Sequence, residues 1–95
     1  MVAVGAGAVW VLAPASARLW RIDPRTNAVT AAIDVLPNAS DLVAGSRLVW
    51  VAGESTGTLE AIDPQTNSVK RTFRLSLSPL GGIAIGAGAL WVGLG

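Results

Sequence analysis

The sequence contains neither cysteine nor histidine among its 95 residues. Without cysteine, the chain can form no disulfide, no thiolate zinc site and no cysteine nucleophile. Without histidine, it lacks the usual general base, a Ser-His-Asp triad and the commonest metal ligand. The sequence therefore predicts no catalytic, cofactor-binding or metal-ligating residue, and it disfavours an enzymatic function.

Charge is also scarce in this chain. Charged residues make up 14%, and seven Lys and Arg against six Asp and Glu leave a net charge of +1. Such a balance gives no electrostatic basis for binding nucleic acid or an acidic membrane surface. Hydrophobic residues reach 52%, which is too many for a disordered chain. No apolar run reaches the ~18 residues of a membrane span without an intervening Gly, Pro or charge.

An internal repeat dominates what is present. Trp10, Trp50 and Trp91 are 40 and 41 residues apart, and each follows an aliphatic residue and precedes Val. Residues 22–29 and 62–69 both begin with Ile-Asp-Pro and are identical at six of eight positions. Self-similarity at a fixed period of this length indicates a repeat architecture.

Each period contains four short runs of β-prone residues separated by turn residues. In the second period these runs are residues 41–45, 47–52, 58–63 and 68–75. Four strands in about 40 residues are typical of one propeller blade. The fourth run carries Lys70, Arg71 and Arg74, as expected of an outer strand whose edge meets water.

We therefore predict an all-β fold of four-stranded antiparallel β-propeller blades, with two full blades and half of a third. The chain would form a partial propeller over residues 1–95. Its parts are blade 1 at about 2–36, blade 2 at about 41–77 and a half blade at about 82–95.

The apolar N-terminus has two interpretations. Residues 1–13 followed by Ala15-Ser16-Ala17 resemble a secretory signal with its cleavage site, although no positive charge precedes Arg18. However, residues 2–11 recur at 83–92 with seven of ten positions identical. A segment repeated within the chain favours a strand of the fold.

Asp23 and Asp63 are the most conspicuous carboxylates. Each begins an Asp-Pro-x-Thr-Asn segment between two predicted strands. In such a turn the Asp side chain accepts backbone N–H groups, Pro fixes φ, and Asn tolerates a left-handed conformation. We expect both carboxylates to be structural, because turn chemistry explains the motif.

The tryptophans divide into two groups. Trp10, Trp50 and Trp91 recur at one blade position, so we expect them to pack between blades rather than to stack a ligand. Trp20 has Glu60 as its counterpart and belongs to no repeated layer. It is therefore the better candidate for a functional or interface residue.

Other polar features are weaker signals. The glycines of residues 5–7 and 86–88 precede no helix, so we interpret both segments as tight turns rather than phosphate loops. Asn38-Ala39-Ser40 matches the glycosylation tripeptide. Four arginines are scattered through the first half and either line an anion-binding rim or are ordinary surface residues: Arg18, Arg21, Arg25 and Arg47.

The segments 2–11 and 21–29 together resemble the YVTN/NHL-like β-propeller repeats. These repeats occur in bacterial seven-bladed propellers and in proteins similar to the streptogramin (virginiamycin B) lyases. The resemblance implies a binding or scaffold module, and an extracytoplasmic location. The lyase branch implies a magnesium-dependent elimination with an essential histidine as base. This sequence has no histidine, so no lyase catalytic residue can be assigned to it.

The expected function is that of a non-catalytic binding or scaffold segment, with no cofactor and with an unidentified ligand or protein partner. We expect the chain to be a fragment of a larger propeller, because repeats need neighbours to cover their faces. One alternative is a lyase-like enzyme whose catalytic residues lie in missing blades. Another is a self-assembling oligomeric propeller that associates through its open blade faces.

Overall fold

The structure is a computed structural model that describes residues 1–75, 80–86 and 89–94. Apart from one 3-10 turn at Pro14–Ser16, its regular structure is β-strand. The strands are β1 Val2–Gly5, β2 Ala8–Ala13, β3 Arg18–Asp23, β4 Ala28–Asp34, β5 Asp41–Ala44, β6 Val49–Gly53, β7 Thr58–Asp63, β8 Ser68–Arg74, β9 Leu80–Gly86 and β10 Ala89–Leu94.

These strands form three antiparallel sheets in chain order. The first sheet is β1-β2-β3-β4, the second is β5-β6-β7-β8, and β9 and β10 form a two-stranded hairpin, here called the third sheet. The predicted four-stranded antiparallel units are confirmed, and the predicted strand ends of the second period differ by one or two residues. Parts of the predicted blades at 76–77, 87–88 and 95 lie outside the described residues.

The apolar N-terminus belongs to the first sheet. Residues 2–5 and 8–13 form β1 and β2, as the strand interpretation predicts. The turn between them is tight, with φ of 49° at Ala6 and 74° at Gly7. The corresponding turn at 87–88 lies outside the described residues.

Each sheet has two faces that differ in what they pack against. Side chains alternate between the faces along a strand. In the first and second sheets, the carboxyl-side face is the one turned toward the next sheet in the chain, and the amino-side face is the opposite one. In the third sheet, the amino-side face is the one turned toward the second sheet. In β2, Ala8, Trp10 and Leu12 point to the carboxyl-side face and are buried against the second sheet.

The main core lies between the first two sheets. Trp10 from the first sheet is fully buried there, as are Val49, Val51 and Ile62 from the amino-side face of the second sheet. A smaller cluster lies between the second and third sheets. It joins Trp50 and Phe73, whose rings are 5.9 Å apart, to residues of β9 and β10. Packing between sheets is therefore confirmed for Trp10 and Trp50. Trp91, for which the same packing was expected, is instead 60% exposed on the third sheet.

The strands show the burial expected of their positions. The central strand β6 is covered on both sides and is almost continuously buried, whereas the outer strand β8 exposes Lys70, Arg71 and Arg74. The Asp41 side chain joins the second and third sheets. Its Oδ2 accepts the backbone N–H of Ile83 at 3.0 Å, and its Oδ1 accepts that of Leu42 at 2.8 Å.

Candidate functional site

The turns β1–β2, β3–β4, β5–β6 and β7–β8 all open at one edge of the stacked sheets, which we call the hairpin edge. An antiparallel meander places alternate connections at the same edge, because each strand reverses direction. The connections β2–β3 and β4–β5 therefore open at the opposite edge. The candidate site lies at the hairpin edge, between the first and second sheets.

The two Asp-Pro turns have the predicted chemistry. Asp23 Oδ1 accepts the N–H of Arg25 at 2.9 Å, and Asp63 Oδ1 accepts the N–H of Gln65 at 2.8 Å. Asn27 and Asn67 have φ of 58° and 53°, the left-handed conformation that asparagine tolerates. Both carboxylates therefore hold their own turns, and each belongs to a different sheet.

Arg21 connects the first sheet to the second at this edge. Its Nη1 donates to Asn67 Oδ1 at 2.9 Å and also to the carbonyl of Pro64. Its guanidinium carbon lies 5.3 Å from the centre of the Trp10 ring, within the range of a cation–π contact. Arg21 is thus a structural contact between sheets, which the sequence did not predict.

A groove of about 670 Å³ lies beside Arg21. Arg47 and Lys70 also line it, together with Asp63 and Gln65. Arg47 comes from the β5–β6 turn and Lys70 from β8, so the second sheet supplies both cations. Within the described residues, neither cation lies within 4.0 Å of a carboxylate oxygen. The groove therefore carries more positive than negative charge.

Of the four scattered arginines, Arg21 and Arg47 share the larger groove, and the other two lie outside it. Arg18 lies at the opposite edge and pairs with Asp34 at 3.3 Å, where both side chains are exposed. Arg25 lies 3.8 Å from Asp23 in its own turn and lines a second groove of about 500 Å³. Arg21 separates this groove from the larger one, since it lines both.

Charge is divided between the two edges of the sheets. Among the described residues, cations prevail at the hairpin edge, where the two turn carboxylates oppose them. Carboxylates prevail toward the opposite edge. Those associated with the hairpin edge are Arg21, Arg25, Arg47, Lys70, Asp23 and Asp63, and those toward the opposite edge are Arg18, Arg74, Asp34, Asp41, Glu54 and Glu60. Arg71 lies at the middle of β8, between the two edges.

Lys70 is the residue of this site that the sequence did not indicate. Its position on the fourth β-prone run predicts an outer strand in contact with water, and Lys70 is exposed there. Its counterpart in the first repeat is Thr30, so a cation at this position is not part of the repeat. The sequence could have indicated Lys70 only through this difference between the two repeats. The same holds for Arg21, whose counterpart is Ala61.

Two other singled-out residues lie away from the groove. Trp20 is half-buried on the amino-side face of the first sheet, opposite Val11 of β2. Asn38 is exposed with φ of 56° at the opposite edge. In the same tripeptide, Ser40 Oγ donates to the carbonyl of Ala52 at 3.2 Å and accepts the N–H of Glu54 at 2.8 Å.

Within residues 1–75, 80–86 and 89–94, no three acidic, cysteine or histidine side chains lie close enough together to hold a metal ion. The same residues include no helix with the length and hydropathy that crossing a membrane requires.

No protein-family model matches the chain, and no curated protein matches it. Among solved structures, the chain is similar to a hydrazine synthase of Kuenenia stuttgartiensis. The TM-score is 0.84 and the identity 13%, over 98% of this chain and 28% of that one. It is also similar to a streptogramin B lyase, with a TM-score of 0.78 and 22% identity over 98% of this chain and 33% of that one.

These similarities establish the β-propeller fold and confirm the predicted likeness to the streptogramin lyases at the level of fold. The chain spans a third or less of the length of the two solved chains. At identities of 13% and 22%, the similarities show the fold and not the function, because one fold hosts many functions. Membership of the YVTN/NHL repeats stays a prediction.

Proposed function

We propose that this chain is a non-catalytic β-propeller segment of a larger propeller, and that it binds a small anionic ligand or an acidic side chain of a partner. The binding site is the groove between the first and second sheets at the hairpin edge. The observation that carries the proposal is that Arg47 and Lys70 line this one groove beside Arg21.

The groove has suitable dimensions and chemistry for such a ligand. Its volume of about 670 Å³ falls within the ~300–1,000 Å³ of small-molecule sites. Arg21 already donates to Asn67 and Pro64, so it forms a fixed wall. Arg47 and Lys70 are exposed and supply the charged donors that carboxylate and phosphate groups accept.

The residues of this chain favour binding over catalysis. The sequence has no histidine or cysteine, and the groove's carboxylate, Asp63, accepts a backbone N–H of its own turn. A proton-transfer mechanism needs a positioned base, and no other carboxylate lines the groove in the described residues. Lyase-like chemistry would therefore have to rely on residues of other blades.

The test is a titration with inorganic pyrophosphate, followed by backbone and side-chain NMR at constant ionic strength. We expect saturable shifts that centre on Arg47 and Lys70. Because the cations are exposed, each contributes about 0.2–1 kcal/mol. Arg47→Gln and Lys70→Gln should therefore each weaken binding up to about fivefold.

The matched control is Arg74→Gln, which removes the same charge from the opposite edge of the second sheet. It should leave the pyrophosphate affinity at the wild-type value. The proposal is wrong if the titration does not saturate, or if Arg74→Gln weakens binding as much as Arg47→Gln does. A second titration with succinate distinguishes a general anion site from one that requires phosphate oxygens.

A further inference from the structure

Two apolar sheet faces are exposed at opposite ends of the stack. The amino-side face of the first sheet exposes Val2 by 67% and Val4 by 74%. The carboxyl-side face of the third sheet exposes Trp91 by 60%. Large exposed apolar side chains grouped on a flat face are typical of an interaction surface.

The internal repeat identifies what fits against Trp91. Trp91 is the counterpart of Trp10, and both rings donate the indole N–H to a turn carbonyl at 2.9 Å, that of Gly86 and that of Gly5. Trp10 is fully buried, because the amino-side face of the second sheet covers it. A ring in the same local geometry is thus buried in one repeat and exposed in another.

The amino-side face of the first sheet is the counterpart of the surface that covers Trp10. Val9, Val11 and Ile22 correspond in the repeat to Val49, Val51 and Ile62, all three of which are fully buried against the first sheet. On the first sheet these aliphatic positions are only half-buried. The chain therefore carries both halves of an interface that it already forms once internally.

We infer that a second copy of this chain docks head to tail, with the Trp91 face of one copy on the Val2–Val4 face of the next. The contact repeats the one between the first and second sheets. It is heterologous, since different surfaces meet, and repetition of one such contact closes a ring when the rotation allows it. This inference is independent of the proposed anion groove, which lies between two sheets of one chain. It takes further copies of this chain as the source of the other blades of the larger propeller proposed above.

Trp20 fits this interface. It lies on the same face as Val11, its cross-strand neighbour in β2, and it takes the position that Glu60 has in the second repeat. Glu60 accepts the backbone N–H of Leu36 at 2.7 Å and thereby serves a connection within the chain. A tryptophan in its place suits contact with another molecule, because aromatic residues are enriched in protein interfaces.

The experiment uses two variants that each block one face. Val4→Glu places a charge on the amino-side face, and Trp91→Glu places one on the carboxyl-side face. We expect the wild-type chain to elute as a discrete multiple of its 9.7 kDa in size exclusion with light scattering. Each variant alone should be monomeric, since head-to-tail contact needs both faces intact.

Mixing the two variants is the decisive step. Each retains the face that the other has lost, so an equimolar mixture should form a 1:1 dimer of twice 9.7 kDa and associate no further. Ala15→Glu, in the exposed 3-10 turn away from both faces, should associate as the wild type does. Far-UV circular dichroism checks folding, and Val2→Glu and Trp91→Arg are the replacements if either variant unfolds.

The inference is wrong if the wild-type chain is monomeric throughout a dilution series, if the mixture stays monomeric, or if both single variants still associate. Dimerisation of Val4→Glu alone would instead indicate contact between two Trp91 faces, and this also contradicts the head-to-tail arrangement.

Discussion

Arg21 Nη1 lies 2.9 Å from Oδ1 of Asn67, and this hydrogen bond joins an inner strand of the first sheet to an outer turn of the second. The same guanidinium covers the Trp10 ring and donates to the carbonyl of Pro64. A planar guanidinium can lie over an aromatic ring while its N–H groups donate to neighbouring acceptors. Arg21 thus fixes the spacing of the two sheets where the groove begins.

The first prediction concerns the coupling of Arg21 to Asn67. Arg21→Met removes the guanidinium but keeps an apolar stem over Trp10. Asn67→Gly removes Oδ1 but permits the φ of 53°. In a double-mutant cycle measured by urea unfolding, we expect a coupling free energy of about 0.5–1.5 kcal/mol.

The control cycle pairs Arg21→Met with Asn27→Gly. Asn27 has the same position and nearly the same φ of 58° in the turn of the first sheet, and it has no hydrogen bond to Arg21 among the described contacts. Its coupling to Arg21 should stay within about 0.3–0.5 kcal/mol of zero, the usual limit of additivity. Equal coupling in the two cycles would contradict the proposed contact.

The strands and turns could be predicted because each depends on nearby sequence. Asp-Pro-x-Thr-Asn determines its turn through bonds over two to four residues, such as Asn67 N–H to the Asp63 carbonyl at 2.8 Å. The 40-residue spacing of the tryptophans then predicts the number of strands in each unit. Local chemistry and periodicity were therefore sufficient for the fold class.

The groove could not be predicted in the same way. Arg47 and Lys70 are 23 positions apart in the sequence, and only the stacking of the sheets shows that they share a groove with Arg21. The Arg21–Asn67 contact spans 46 residues. Such contacts depend on the distance between sheets, and no pattern in a single sequence reports that distance. The sequence points to these residues only where one repeat differs from the other.

The second prediction concerns Ala17, which follows the 3-10 turn with φ of 54°. A left-handed conformation costs a residue with a Cβ about 1–2 kcal/mol. The repeat places Gly57 at the corresponding position with φ of 66°, and both carbonyls accept an equivalent N–H, from Val35 at 3.0 Å and from Leu75 at 2.8 Å. The second repeat thus already contains the residue that this geometry favours.

Ala17→Gly should therefore stabilise the fold by about 0.5–1 kcal/mol, since the relief of strain exceeds the entropy cost of glycine. The measurement is the midpoint of urea unfolding. Ala32→Gly, on the extended strand β4, is the control and should destabilise by about 0.5–1 kcal/mol. A loss of stability in both variants would mean that Ala17 does not adopt the left-handed conformation.

The third prediction compares two glycines at the same position of the repeat. A Cβ on Gly5 would lie 2.7 Å from the carbonyl oxygen of Ala44 and 2.9 Å from its Cβ. Because backbone of the second sheet cannot move aside cheaply, Gly5→Ala should destabilise the fold by about 1–3 kcal/mol. No described atom would lie within 4 Å of a Cβ on Gly86. In the monomeric Val4→Glu chain, Gly86→Ala should therefore change the free energy of urea unfolding by less than about 0.5 kcal/mol.

The same pair separates folding from association. If a second copy covers the Trp91 face as the second sheet covers the Trp10 face, Gly86 acquires the surroundings of Gly5, and an added Cβ then meets the backbone of the neighbouring copy. Adding Gly86→Ala to the Val4→Glu chain should therefore leave the unfolding free energy of that monomer unchanged. The same substitution in that chain should weaken its affinity for the Trp91→Glu chain. The same substitution in the Trp91→Glu partner should have no effect on the dimer, because that copy's third sheet does not take part in the contact. Equal weakening from both placements would contradict the head-to-tail geometry.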